Sequence, residues 1–306
     1  RLKMMWKKID NELYKYFKRY KGNQEYLLDN IELLFSSHID LNKKVSSNKL
    51  KRALQKVKFP KNSQLDYFKR DMMKRARITQ KEYITGMLYI LYWEQNQDAL
   101  PLFNEISRIS YENTLDSLTD DLKHKVKGLS FYQLMIMTLP THLGWEWQEY
   151  ITNDVIYSSN EMIKQYQINL QQGRQSAYKT ILDRQQRRHL NINDSNGKKT
   201  HSGAVEVMSS FIANQMIYNI ALDIGIKQVK FIGISDDRQT QMCKSLNGQI
   251  FNVNEINKFT RYFDSTKGYE YIEVDGLVLG LNLPPITDNF HYCRSTIQFL
   301  NWPQSQ

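Results

Sequence analysis

Phe231-Ile-Gly-Ile-Ser-Asp-Asp-Arg238, Met242-Cys-Lys-Ser-Leu-Asn-Gly-Gln-Ile-Phe251, Pro284-Pro285 and His291-Tyr-Cys-Arg294 are the stretches on which the reading of this chain turns. The β-branched and aromatic run from Gln228 to Ile234 reads as a strand. It runs into an Asp236-Asp237-Arg238 turn, then Cys243, then a second turn centred on Gly248. That glycine needs a positive φ to send the chain back through Gln249-Ile250-Phe251. Tyr269 to Val274 reads as another strand, and Asp275-Gly276 is a hairpin signal leading to Leu277-Val278-Leu279. A last strand is expected over Ser295 to Leu300. Residues 226–306 therefore read as a small α/β unit with an antiparallel sheet.

Upstream the pattern changes to helix. Leu13, Tyr14, Phe17 and Tyr20 recur at helical spacing, and Tyr26, Leu27, Ile31, Leu34 and Phe35 continue it after Gly22-Asn23, which reads as a breaker. Ser46-Ser47-Asn48 reads as the start of a helix over Lys49 to Lys58, with Pro60 ending it. Thr79 is placed to cap the next helix, with Glu82 at the capping-box position. Tyr83, Met87, Leu88, Leu91 and Tyr92 then form a stripe that packing alone explains. Pro101 opens a helix expected to run to about His124. Further helices are expected at about 148–172 and 174–189, divided by Gly173, and from Thr200 or Ser202 to about Gly225. Asn191 to Thr200 reads as a loop. The fold class is α+β, mostly α: a helical region over 1–125, a helical middle over 126–225, and the α/β unit over 226–306.

Composition narrows the classes. The 306 residues are 41% hydrophobic and 24% charged, which is globular rather than disordered. No apolar run reaches the roughly 18 residues of a membrane span, and no membrane partner is expected. Arg1-Leu-Lys-Met-Met-Trp-Lys-Lys8 has a basic end with no apolar core behind it, unlike a secretory signal. A start on Arg leads us to expect that the original N-terminus lies further upstream. Two cysteines make no disulfide framework, so a reducing compartment is the default.

The charge is unevenly placed. Residues 1–80 hold 21 Lys+Arg against 8 Asp+Glu, a net of +13, while the other 226 hold 21 against 24. Such asymmetry fits a polyanion, or an acidic protein surface, beside the N-terminal segment; helices with solvated lysine faces would read the same way. The candidates for that contact are Lys43, Lys44, Lys49, Lys51, Arg52, Lys56, Lys58, Lys61, Lys69, Arg70, Lys74, Arg75 and Arg77. Lysine outnumbers arginine and glycine-rich loops are absent, so reading of base sequence is not expected. His38, His124, His142, His189 and His201 are scattered, with no His-Glu-x-x-His, Gly-x-Ser-x-Gly or Walker loop. No enzyme, cofactor or small-molecule substrate is expected.

The C-terminal stretches resemble the C-terminal domain of the phage Mu F-like minor head proteins. In that family Asp-x-Arg-Thr-Cys-x-x-Cys leads to Leu-x-Gly-x-x-Phe, and Pro-Pro-x-His-x-x-Cys-Arg-Cys ends the domain. The match lies in Phe231, Asp236, Asp237, Arg238, Cys243, Leu246, Gly248, Phe251, Pro284, Pro285, Cys293 and Arg294. It extends upstream to Ala213-Asn-Gln215 on a helix, to Gly225-Ile-Lys-Gln-Val-Lys-Phe231, and to a tryptophan-led stretch from Trp147 to Leu170-Gln-Gln-Gly173. Thr240 stands where the first cysteine would be, Ser295 replaces the final one, and His291 lies two rather than three before Cys293-Arg294. Cys243, His291 and Cys293 supply at most three ligands where a closed zinc site takes four, so no metal is expected.

Keeping one cysteine at each end of the motif implies that Cys243 and Cys293 are neighbours, as buried thiols or as a disulfide. Asp236 or Asp237 is expected to pair with Arg294 or to cap the following helix. The resemblance implies a minor head protein inside the virion near the portal vertex, made in the host cytoplasm. Its partners would be the portal and the capsid or scaffold proteins, and double-stranded DNA without sequence preference. It would act in head morphogenesis and in DNA packaging or ejection. Two other classes stay open: a phage or prophage effector or toxin carrying a Mu F-like domain, and a nonspecific nucleic-acid-binding protein outside any virion.

Overall fold

The computed structural model describes residues 2–35, 39–97, 99–126, 147–172, 178, 181–183, 191–193, 199–202, 204–234, 241–256, 258–264, 269–275 and 295–300. In chain order these form α1 (Leu2–Leu34), β1 (Lys44–Ser46), α2 (Asn48–Lys56), α3 (Gln64–Lys74), β2 (Arg77–Thr79), α4 (Gln80–Gln97), α5 (Ala99–Asp116) and α6 (Asp120–Lys123). There follow α7 (Trp147–Gln172), β3 (Asn191–Asn193), β4 (Lys199–Ser202), α8 (Ala204–Asp223), β5 (Gln228–Ile232) and α9 (Gln241–Leu246). The last elements are β6 (Ile250–Asn252), a 3₁₀ turn (Val253–Glu255), β7 (Lys258–Asp264), β8 (Tyr269–Asp275) and β9 (Thr296–Leu300). The described chain is mostly helical, with a small antiparallel three-stranded sheet near the C-terminus.

Two compact units share this chain, and each is discontinuous in sequence. One takes residues 1–15, 100–145 and 188–306; the other takes 16–99 and 146–187.

α1 runs without a break through Gly22-Asn23, contrary to the expectation of a breaker there. The reason is phase. Trp6, Ile9, Leu13, Tyr16, Tyr20, Leu27 and Ile31 are buried and keep one helical face across the glycine. Gly in a helix costs about 1 kcal/mol relative to Ala, less than the apolar face on either side returns. The buried stripe also differs in detail from the one expected: Tyr14 is 70% exposed and Phe17 half-buried, while Tyr16 takes the core position.

In the second unit α4 is the hub. It packs on α7, on α2, on α3 and on the β1–β2 ribbon. Ile84, Leu88, Tyr89, Ile90, Tyr92 and Trp93 are all buried, so more than one face of the helix is covered. Phe68 meets Tyr89 edge-on at 5.0 Å, and Phe59 meets Trp93 at 5.6 Å. Phe35, just past α1, lies stacked against both Tyr166 at 4.7 Å and Tyr178 at 5.0 Å. Gly86 faces Leu50 of α2 so closely that an added Cβ would lie 2.7 and 2.8 Å from its two methyls.

Two pieces of backbone pairing break the expected runs of helix and loop. β1 and β2 pair antiparallel, with Val45 opposite Ile78, inside a region read as helix almost throughout. β3, in the stretch Asn191 to Thr200 that reads as loop, pairs with β4, which runs on past it to Ser202. The helix expected from Pro101 to His124 stops at Asp116: the Ser117 and Leu118 N–H groups bond back three residues to Thr114 and Leu115, and α6 begins afresh after Thr119 in extended conformation.

In the first unit the sheet order is β6-β5-β9, both neighbours antiparallel to β5. Val229 and Phe231 point into the core from β5, as its alternating burial requires, and Ile297 joins them from β9. α8 packs on β9 and on the 3₁₀ turn. β8 pairs antiparallel with β7; the hairpin expected from Asp275-Gly276 to Leu277-Val278-Leu279 lies outside the described residues. β7, which the sequence reading left without an element, reads Lys-Phe-Thr-Arg-Tyr-Phe-Asp, a strand composition.

Candidate polyanion-binding surface

The motif residues of the C-terminal unit are positioned by β5 and the turn that returns to β6. Phe231 is 3% exposed, and its N–H donates to the Gln249 carbonyl while its own carbonyl accepts from the Gly248 N–H, both at 2.9 Å. Gly248 has φ +88°, the left-handed backbone expected for it. The Asn247 side chain closes the turn, its Oδ1 accepting from the Gly233 N–H at 2.9 Å. Leu246 ends α9 half-buried, and Phe251 stands opposite Val229 in the ladder. These contacts give the Leu-x-Gly-x-x-Phe spacing a structural role: it fits a short helix, one left-handed residue and a return strand. Cys243 is a buried side chain on α9. Asp236, Asp237, Arg238, Pro284, Pro285, His291, Cys293 and Arg294 lie outside the described residues, and so do the expected carboxylate–arginine pair and the Cys243–Cys293 neighbourhood. Among the described residues no group of three or more His, Cys, Asp or Glu is arranged to hold a metal ion, and no helix is long and apolar enough to cross a membrane.

The thirteen cations fall in the second unit, on the module β1-α2-α3-β2 and its margins. Residues 40–82 contain 14 Lys+Arg against 4 Asp+Glu. The module is closed by backbone and hydroxyl bonds. The Ser47 hydroxyl donates to the carbonyls of Arg75 (2.6 Å) and Ala76 (3.1 Å), and the N–H groups of Gln80 and Lys81 donate to Lys43 and Leu41 (2.8 and 2.9 Å). Ser47 is thereby diverted from capping α2, whose first turn has no side-chain cap and no acid. An open helix N-terminus carries partial positive charge, which adds to that of the lysines around it.

Four of the thirteen are engaged inside the fold. Arg75 grips Glu82 with both terminal nitrogens, at 2.6 and 3.0 Å, and reaches Asp71 at 3.2 Å. Glu82 in turn forms the expected capping box: its Oε2 accepts from the Thr79 N–H (2.7 Å) and hydroxyl (2.9 Å), and its own N–H donates to Thr79 Oγ1 (3.1 Å). Partial burial raises the Glu82 pKa, but the hydrogen bonds from Arg75 and Thr79 outweigh it and hold the carboxyl below its ordinary value. Lys69 donates to the Val57 carbonyl at 2.6 Å, tying α3 to the end of α2. Arg70 pairs with Asp66 at 2.8 Å and lies 4.6 Å from the centre of the Tyr67 ring. Arg77 reaches the Lys44 carbonyl at 3.4 Å.

The others face water. Lys43, Lys44, Lys49, Arg52, Lys56, Lys58, Lys61 and Lys74 are exposed, Lys51 is half-buried, and none of them forms an ion pair within 4.0 Å among the described residues. Lys56 acts at longer range on Glu94, lowering a carboxyl pKa that burial raises. Lys49, Arg52 and Lys56 recur at i, i+3 and i+7 on α2, turned away from the buried Leu50 and Leu54. Lys81, also exposed, adds to the same charge and lies one residue beyond the 1–80 segment in which the sequence concentrates it. The chemistry available is attraction of fixed negative charge by hydrated ammonium and guanidinium groups.

Comparison of the chain with protein-family models, with curated proteins and with solved structures finds no match.

Proposed function

We propose that this chain is a minor head protein of a phage or prophage, placed inside the head near the portal vertex and acting in head morphogenesis without catalysis. The observation that carries the reading is the motif from Phe231 to Phe251. Its glycine, aromatic and leucine spacing resembles the Mu F-like pattern, and in this chain Phe231 and Gly248 are joined by a hydrogen bond. The cationic module of the second unit supports a contact with DNA or with an acidic portal or scaffold surface, since its outward lysines are in no ion pair within 4.0 Å among the described residues.

Quantitative mass spectrometry of purified mature particles and of empty precursor heads tests this. Low stoichiometry relative to the capsid protein in both is the expected result. Presence only in precursors would make the chain an assembly factor that leaves. Absence from both would overturn the proposal.

A further inference from the structure

We infer that the outer face of α2, with Lys49, Arg52 and Lys56 as its core, is a contact for the phosphate backbone of duplex DNA, and that Lys69, Arg70 and Arg75 are not part of it. The inference deepens the polyanion reading given above and rests on it. Three observations carry it. First, the cations divide by partner: Arg75 is held by Glu82 and Asp71, Arg70 by Asp66, and Lys69 by a backbone carbonyl, so engaging phosphate would require them to leave those partners. Among the described residues Lys49, Arg52 and Lys56 have no such tie within 4.0 Å, and the pull of Lys56 on Glu94 acts at longer range.

Second, the three lie along one side of one helix. Seven residues at a rise of about 1.5 Å give a span of about 10.5 Å, close to three base steps of about 3.4 Å along one strand. Third, the outward residues on α2 are Asn48, Lys49, Arg52, Gln55 and Lys56, with no exposed aromatic or aliphatic anchor among them. Protein interfaces are depleted in lysine and centred on buried aromatic and arginine anchors; this face has no aromatic, and its one arginine, Arg52, is flanked by Lys49 and Lys56. Sequence-independent phosphate binding needs only hydrated positive charge at the right spacing. The face therefore fits nucleic acid better than an acidic protein surface.

The test uses the full chain and a fluorescently labelled duplex of arbitrary sequence, followed by anisotropy from about 50 to 200 mM salt, where counterion release makes affinity fall steeply. Wild type is expected to bind several unrelated duplexes equally. The triple variant Lys49→Gln, Arg52→Gln, Lys56→Gln should bind at least about tenfold more weakly near 100 mM salt, with a log–log salt slope shallower by about 2 to 3, roughly 0.9 per lost phosphate contact. Arg75→Gln should lower the melting temperature and leave the slope unchanged. Circular dichroism of the triple variant should superimpose on wild type, since its three side chains are exposed.

No binding at about 50 mM salt, an unchanged slope in the triple variant, or tighter binding to polyglutamate than to a duplex of equal charge would each overturn the inference. A chain found in particles but failing these tests would leave the minor head proposal standing and remove only the DNA contact.

Discussion

Replacing Gly86 by alanine tests whether the crossing of α2 over α4 is set by the absence of a side chain at that position. The new Cβ would lie 2.7 and 2.8 Å from the methyls of Leu50 and 3.0 Å from Cε1 of Phe68, where carbon atoms prefer about 3.5–4.0 Å. Leu50 is fully buried, so its methyls have little room to give. Overpacking of this kind costs about 1–3 kcal/mol, while alanine's helix propensity returns about 0.8–1.0 kcal/mol. The expected net is a loss on the order of 1 kcal/mol.

Gly22 supplies the control within the same unit. It is also helical and is exposed, with nothing within 4 Å of an added Cβ, so Gly22→Ala should gain about 0.8–1.0 kcal/mol. The same substitution thus changes sign, a difference of about 2 kcal/mol or roughly thirtyfold in the unfolding equilibrium. Urea unfolding of the two variants measures it. A double-mutant cycle sharpens the assignment. Leu50→Ala alone should cost about 2–5 kcal/mol. Combined with Gly86→Ala it should cost less than the sum, because the new methyl occupies vacated space. Stabilisation by Gly86→Ala equal to that at Gly22, or strict additivity with Leu50→Ala, would refute the reasoning.

Other outcomes follow from single contacts. Thr79→Ala removes the α4 cap and should cost about 1 kcal/mol, read from the same urea titration. The Glu82 carboxyl is held below its ordinary value, so its contribution is present above the unfolded carboxylate range near pH 4.3 and is lost as the pH falls through the lowered folded value; Glu82→Gln should flatten that acid limb of the melting temperature. Gly248→Ala forces a side chain onto φ +88° and should destabilise by about 1–2 kcal/mol in a thermal melt. The Tyr178 hydroxyl is pushed up to about 12, chiefly by burial. Phe35→Ala opens one side of the stack beside it, so ultraviolet titration should find this tyrosine ionising at lower pH.

Legibility followed range along the chain. The Thr79–Glu82 box and the Gly248 turn were readable because each is closed by groups within a few residues, and local stereochemistry dictates their partners. β5, β8 and β9 were readable because β-branched and aromatic runs leave little alternative. The thirteen cations were visible as a set, but not their division. Arg75 lies seven residues from Glu82, and Lys69 twelve from Val57. No periodicity reports such contacts.

By itself, then, the sequence determined the helical character of the first half, the strand-rich end, the concentration of positive charge before residue 80 and the motif around Gly248. Tertiary structure alone decided that Gly22 does not interrupt α1, that Lys44–Ser46 pairs with Arg77–Thr79 across two intervening helices, and which cations are left for a partner. The division of the cations turns on ion pairs and hydrogen bonds formed between separate elements; for the first two the physical reason is packing. A residue's own propensity is worth at most about 1 kcal/mol for glycine, whereas burying one large apolar side chain is worth about 1.5–3 kcal/mol, so packing against distant segments overrides local preference wherever the two disagree.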